Sequence, residues 1–279
     1  MSVFKLLSDK RLRRKLAAQQ WTGHNIALTE GVTTMPGEPD FMETDLRLLA
    51  ILRTLSLLYR GRLAGLRAAD LGCLEGGFAL ALAQRGMDVV GIEARAKNLE
   101  KAEFLASYLK LPNLRFELGD VKDFTRENFG DFDVVLALGI LYHLDKPATW
   151  LRQIAEVTRS VLIIESHYAP TDDAGLAVLD STIANLGPLE WMPDLKWRYQ
   201  GRWFVEHAEH TEVEEQVWAS YSNERSFWLT KESLMHVLSN SGFDLVYEQH
   251  DYYGYSYARL TTEFPRVMLV AAKGDSFVG

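Results

Sequence analysis

The chain has 279 residues, 47% hydrophobic and 24% charged, with a net charge of −8; these are globular values that exclude a disordered or fibrous polypeptide. No apolar run approaches the ~20 residues that span a bilayer, Met1 to Gln20 is basic and amphipathic rather than the apolar core of a secretory signal, and the acidic balance argues against a protein that tracks a phosphate backbone. The single cysteine, Cys73, cannot form an internal disulfide, so a cytoplasmic setting is expected.

In chain order, periodicity predicts a helix over 3–20 carrying the basic cluster Lys5, Lys10, Arg11, Arg13, Arg14 and Lys15. That cluster reads either as an RNA or partner contact or as a solvated helix face. A loop with Gly23, Gly31, Pro36 and Gly37 leads to a second helix over 44–60 with Thr44 as N-cap. Strands are predicted at 67–71, 88–93, 114–117, 132–138 and 160–166, with helices at 76–85, 96–110 and 147–157 between them. Strands alternating with helices imply an α/β fold with a parallel sheet and right-handed crossovers. The rhythm stops over 168–228. A helix over 230–241, closed by Gly242, then precedes strands at 243–249 and 266–272, which read as an antiparallel hairpin. Four regions follow: a helical cap and covering segment (1–62), a core (63–167), an insertion (168–228) and a C-terminal completion of the sheet (229–279).

Residues 67–93 form a βαβ unit suited to a nucleoside. Glycines at 72, 76 and 77 let the backbone approach a ligand where a Cβ would clash. Glu93 ends the second strand 21 positions after Gly72, the place for a carboxylate that accepts from ribose hydroxyls. A dinucleotide site calls for G-x-G-x-x-G with the pyrophosphate on the helix N-terminus. Here the spacing is Gly72-x-x-x-Gly76-Gly77, with Asp70 ahead of it. This resembles motif I of the class I S-adenosylmethionine-dependent methyltransferases, except that Leu74 stands where a middle glycine is common. Another Rossmann-like protein is the competing reading.

Further residues sharpen the resemblance. Phe132-Asp133-Val134-Val135 through Gly139-Ile140-Leu141-Tyr142-His143 is similar to the motif after the fourth core strand in the tRNA wobble-uridine (carboxy)methyltransferase-like family and its small-molecule relatives. Trp21, His24, Ile26, Leu28, Gly31-Val32, Thr34 and Gly37 resemble that family's N-terminal segment, with one extra residue between Trp21 and His24. The likeness covers about 20–166, with a weaker echo from Phe227-Trp228-Leu229-Thr230 to Gly242-Phe243. It implies a Rossmann-like sheet in the order 3-2-1-4-5-7-6, S-adenosyl-L-methionine as cofactor, and Asp120 accepting from the adenine amino group. Ligands of open α/β sheets bind beyond the carboxyl ends of the strands. The cofactor residues expected there are Trp21, Asp70, Gly72, Cys73, Glu93, Asp120, Val121 and Leu138; for Trp21, simple helix docking stays open.

Methyl transfer to a hydroxyl needs alignment, exclusion of water and removal of one proton. His143 and His167 follow neighbouring strands ~4.8 Å apart and are the candidate bases. The insertion holds five tryptophans, Trp191, Trp197, Trp203, Trp218 and Trp228. They line an acceptor lid or form a small core of its own. Tyr142, Trp191, Arg198, Tyr199, Arg202 and Asn223 are the substrate candidates. His207, His210 and Glu214 have helical spacing, but without a cysteine or a further firm ligand a solvated acidic helix is expected, and no metal. The expected function is a methyltransferase for a small organic acceptor, at oxygen, with nucleic acid (tRNA) not excluded as a partner. The alternatives are a tRNA wobble-uridine methyl- or carboxymethyltransferase, whose carboxylated cofactor wants a cation that the sequence does not single out, and a non-catalytic cofactor-binding subunit.

Overall fold

The computed structural model describes residues 3–172, 176, 185–206, 216–252 and 265–274. Its elements are α1 (Val3–Ala17), β1 (Ala27–Thr29), β2 (Val32–Thr33), α2 (Leu46–Leu58), β3 (Arg67–Leu71), α3 (Gly77–Ala83), β4 (Asp88–Glu93), α4 (Ala96–Leu109) and β5 (Leu114–Leu118). There follow α5 (Arg126–Phe129), β6 (Phe132–Leu138), α6 (Pro147–Val157), β7 (Thr158–His167), β8 (Leu189–Asp194), β9 (Trp197–Val205), β10 (Arg225–Leu229), α7 (Lys231–Asn240), β11 (Leu245–Gln249) and β12 (Arg266–Ala272).

Seven strands form one sheet in the order β5-β4-β3-β6-β7-β12-β11. Numbering the core strands along the chain gives the expected 3-2-1-4-5-7-6. β3, β4, β5, β6 and β7 run parallel, and β12 and β11 close the edge antiparallel. Strand side chains alternate between the faces. Ala68, Val134, Val161 and Met268 face one core, against Ile51, Leu55 and Leu82 from the helices α2 and α3. Ala69, Val135, Leu162 and Leu269 face the other, against Leu151 and Ile154 of α6 and Leu234 and Val237 of α7. Burial on both faces explains why these strands read as nearly continuous apolar runs.

Local chemistry sets several boundaries. Asp45, not Thr44, caps α2, its carboxylate accepting from Arg47 N at 2.8 Å and Leu48 N at 3.3 Å. Thr44 closes the preceding 3-10 turn (Met42–Thr44) instead. Pro147 opens α6, where its missing N–H costs nothing. The rhythmless insertion contains a three-stranded antiparallel sheet, β10-β9-β8. Tyr199, Phe227 and Leu229 of this sheet join the α6–α7 core, so part of its aromatic content is spent on packing.

Candidate active site

The loop after β3 is held by backbone conformation and buried charge. Gly72 has φ +69° and Gly76 φ +79°. A Cβ on Gly76 would fall 2.6 Å from the Phe116 ring, so glycine is required there on space as well as torsion. Leu74 takes φ +53°, the left-handed conformation that a glycine would adopt more cheaply. The loop therefore keeps the shape its glycines imply, with the leucine absorbing the strain. Leu74 N donates to Glu93 Oε2 at 2.9 Å, and a Cβ on Gly23 would meet the Leu74 side chain at 2.4 Å. The N-terminal segment thus lies directly against the loop.

Glu75 ties that segment down. Its carboxylate accepts from Thr22 N (2.8 Å), Gly23 N (3.2 Å) and His24 N (3.0 Å). It also pairs with Lys101 Nζ at 3.0 Å, both side chains being buried. Burial would raise the Glu75 pKa, but Lys101 and these backbone donors hold it below the usual carboxylate range. His24 Nδ1 accepts from Gly77 N at 3.0 Å, and burial pushes this histidine down to about 4, so it is a neutral acceptor.

Two further carboxylates face the loop. Asp70 Oδ2 accepts from Ala79 N at 3.1 Å, and burial pushes Asp70 up to about 7. Glu93 accepts from Arg95 N and Leu74 N, both at 2.9 Å, and burial still moves its pKa upward. Each Glu93 oxygen holds one backbone donor and the Asn98 amide also reaches the carboxylate, which leaves lone-pair capacity for an incoming hydroxyl. Three carboxylates around one loop do not suit a pyrophosphate, whereas a ribose diol suits Glu93.

A cleft of about 1190 Å³, counted with its open mouth, runs across the strand ends. Asp70, Gly72, Cys73, Glu93, Asp120, Val121 and Leu138 line it, as do Tyr142, His143 and Asn223. Asp120 caps the turn Val121–Asp123 through Lys122 N at 3.0 Å. His143 places Nδ1 3.0 Å from Glu206 Oε2. Residues 217–223 form a strap along the cleft. Arg95 Nη2 holds the strap through Gln216 O (2.6 Å) and Ala219 O (2.8 Å). Asn223 Nδ2 donates to His143 O at 2.9 Å, and Asn223 Oδ1 accepts from Lys122 Nζ at 3.0 Å, so its amide fixes the strap.

Other candidates sit elsewhere. Trp21 does not line the cleft; its Nε1 donates to Leu16 O at 3.0 Å, which is helix docking. His167 does not line the cleft, and its Nδ1 lies 3.3 Å from Pro265 O. Its Nε2 accepts from Arg266 Nε at 3.0 Å, its ring stacks on Trp228 at 4.9 Å, and burial with the Arg266 charge pushes it down to about 2. Trp191 and Arg198 pair with each other on the β8–β9 hairpin, outside the cleft. Tyr199 is buried with its hydroxyl 3.3 Å from Asn240 Nδ2. Arg202 donates to Pro170 O (2.8 Å) and Gly187 O (3.0 Å), stitching the ribbon to the chain before it. His207, His210 and Glu214 lie outside the described residues. Among the described residues no cluster of three or more His, Cys, Asp or Glu is placed to hold a metal.

Sequence reasoning missed Arg47, Glu75, Glu165, Glu206 and Arg266. Arg266 opens β12 opposite His167 at the end of β7, and its guanidinium meets Glu165 Oε1 (2.9 Å) and the Tyr142 hydroxyl (3.0 Å). A charged residue at each end of two apolar strands was the available signal. Arg47 also lines the cleft, with Asp45 at 2.7 Å and its guanidinium over the Phe78 ring.

Residues 63–242, more than half of the chain, match a family model described as a methyltransferase domain. Over 94 residues the chain is 30% identical to the ubiquinone biosynthesis O-methyltransferase of Acinetobacter baylyi, a match covering 34% of this chain and 40% of that protein. The chain thus spans well under half the length of the relatives it matches. Among solved structures it is similar to the N-terminal domain of EvdMO1, determined in the presence of SAH and D-fucose, with TM-score 0.66, 23% identity and 98% of each chain covered. It is also similar to the magnesium protoporphyrin IX methyltransferase ChlM of Synechocystis PCC 6803 with bound SAM, with TM-score 0.50, 17% identity, and 85% and 86% covered. At these identities the structural likeness is one of fold.

Proposed function

Because the chain belongs to the methyltransferase domain family, we propose that it transfers the methyl group of S-adenosyl-L-methionine to a hydroxyl of a small organic acceptor, with His143 as general base. The observation that carries the reading is one cleft bordered by Glu93 at the end of β4 and His143 beyond β6. The names of relatives that methylate oxygen, and of neighbours solved with SAH or SAM, lend support. The regions divide accordingly: 63–167 carries the cofactor, 1–62 covers it, the 217–223 part of 168–228 borders the acceptor, and 229–279 completes the sheet. No helix among the described residues is long and apolar enough to cross a membrane, and we place the enzyme in the cytoplasm, in small-molecule biosynthesis.

The residues present fit the cofactor. Glu93 has lone pairs for the ribose hydroxyls, Asp120 stands at the adenine end, and Arg47 offers a cation for the amino-acid carboxylate. When bound, S-adenosylmethionine supplies an electrophilic methyl group on a sulfonium. The chain's own work is alignment and proton removal. The strap, Gly23 and Leu74 line the cleft, walls that would limit water around the reacting atoms. His143 accepts the hydroxyl proton, a contribution of roughly 10²–10⁴ in rate.

The tRNA reading has the motif resemblance and the basic cluster of α1 in its favour, set against a net charge of −8. Incubation with methyl-labelled cofactor, a metabolite extract and, separately, total tRNA tests the proposal. Label is expected in the small-molecule fraction and not in tRNA, and His143→Gln should lower incorporation roughly 100-fold or more with cofactor binding intact. Label in tRNA, or full activity in His143→Gln, would overturn it.

A further inference from the structure

His143 makes a contact that proton acceptance alone does not explain. Its Nδ1 lies 3.1 and 3.0 Å from the two oxygens of Glu206, whose side chain is 1% exposed. Glu206 directly follows β9, and its N–H donates to Glu224 O at 2.9 Å, which fixes it at the end of the ribbon. The same carboxylate accepts from Ser220 N of the strap at 3.0 Å. Burial would raise its pKa, but the hydrogen bonds from His143, the Ser226 hydroxyl and Ser220 N bring it below the ordinary range. It is therefore ionised at neutral pH and can only accept.

The shared proton accordingly belongs to Nδ1. A neutral imidazole protonated on Nδ1 keeps its lone pair on Nε2. Among the described residues no hydrogen-bond partner is seen for Nε2, and the ring borders the cleft. The other titratable neighbours leave this arrangement alone. The Tyr142 ring lies 4.2 Å away, its hydroxyl taken up by Arg266. His167 sits behind Tyr142 at 4.7 Å. The Lys122–Asp145 pair reaches the histidine only through Asn223.

We propose that Glu206 is the positioning residue of the methyl transfer: it holds His143 in the Nδ1–H tautomer, leaves Nε2 bare, and stabilises the imidazolium formed when the acceptor's O–H proton passes to Nε2. The inference rests on the reading of His143 as base and narrows the acceptor. In the proton step the O–H bond breaks, an N–H bond forms at Nε2, and the oxygen keeps its electron pair for the methyl carbon. Such a pair serves a hydroxyl still protonated at neutral pH, an alcohol or a phenol. A carboxylate acceptor has no proton to give and would gain nothing from it.

The test is a long-range proton–nitrogen correlation spectrum of the full chain, labelled with ¹⁵N at histidine and saturated with SAH. It is recorded at about pH 8, above the ordinary imidazole range, with the His143 signals assigned from His143→Gln. Wild type should show a protonated Nδ1 and a bare Nε2. Glu206→Gln, whose amide donates as well as accepts, should lose that single state and show mixed or inverted tautomers, and Glu206→Asp should restore it at least in part. Calorimetric SAH affinity should stay within about twofold in Glu206→Gln and Glu206→Asp, because each keeps a side-chain oxygen to accept from Ser220 N of the strap. His143 protonated on Nε2 in wild type, or an unchanged tautomer in Glu206→Gln, would overturn the proposal. If Glu206→Gln fails to bind SAH, the wild-type spectrum alone decides. Because the spectrum reads no methyl transfer, its failure is distinct from failure of the proposed function.

Discussion

The two ends of the cleft are built differently. At the glycine-loop end, each group is placed by a neighbour on the same βαβ unit or on the segment lying over it. Leu74 N reaches Glu93, Ala79 N reaches Asp70, and Glu75 gathers the N–H groups of residues 22–24. At the acceptor end, His143, Glu206, Asn223 and Arg266 come from four separate segments and meet only through long-range contacts. The first end is a product of turn geometry and buried charge. The second is assembled by the packing of the ribbon and the strap onto the finished sheet.

The largest expected effect sharpens this contrast at the loop end. Glu75→Ala leaves Lys101 buried without its partner and three backbone donors unmet. Removing one member of a buried pair costs about 3–5 kcal/mol, and urea unfolding of the ligand-free chain should show a loss of that size. A loss below about 1 kcal/mol would mean the N-terminal segment is not held through Glu75. The pH sense is fixed too. His24 is about 4 in the folded chain against 6.5 unfolded, and Glu75 is also depressed. Through His24 the unfolded chain binds more protons as pH falls from about 6.5 toward 4, and stability is lost over that window; the Glu75 contribution is lost below its unfolded value of 4.5.

A second, smaller effect has the opposite sign. Asp70 is raised from 3.8 to about 7. Between those values the unfolded chain binds fewer protons, so its ionisation destabilises the folded chain progressively as pH rises, and fully above 7. Asp70→Asn should make the ligand-free protein more stable by about 1–4 kcal/mol at pH ~8 and by little at pH ~4. Thermal unfolding at the two pH values checks it. The same gain at both, or none at either, would show that the cost of burying this carboxylate is not stored at the loop. A stabilised variant with weaker cofactor binding is the usual exchange at a functional site.

The same division decides what the sequence disclosed. β3, β4, β6, α6 and β12 fall where the hydrophobic pattern puts them. Gly72, Asp70 and Glu93 were readable because their spacing within one βαβ unit fixes their positions. Even there, Asp45 displaced Thr44 as a cap because its carboxylate reaches two N–H groups that a threonine one residue earlier does not. Arg198, Arg202 and Trp191 were credited to the acceptor on residue type, and packing took them elsewhere. Glu206 carried no local signal, and Arg266 carried only that of a charge opening an apolar strand. One is an acidic residue among many, and the other is the first residue of a strand whose neighbour depends on the antiparallel return of β12 along β7.

The central claim is that the strand ends of β3 and β4 hold S-adenosylmethionine through Glu93. Calorimetric titration of the full chain and of Glu93→Ala with SAH, and of the full chain with NAD, tests it most directly. Wild type should show one-site SAH binding, weakened by about 1.5–3 kcal/mol in Glu93→Ala, and no tight NAD binding. Equal SAH affinity in the two proteins, or tight binding of NAD, would contradict it.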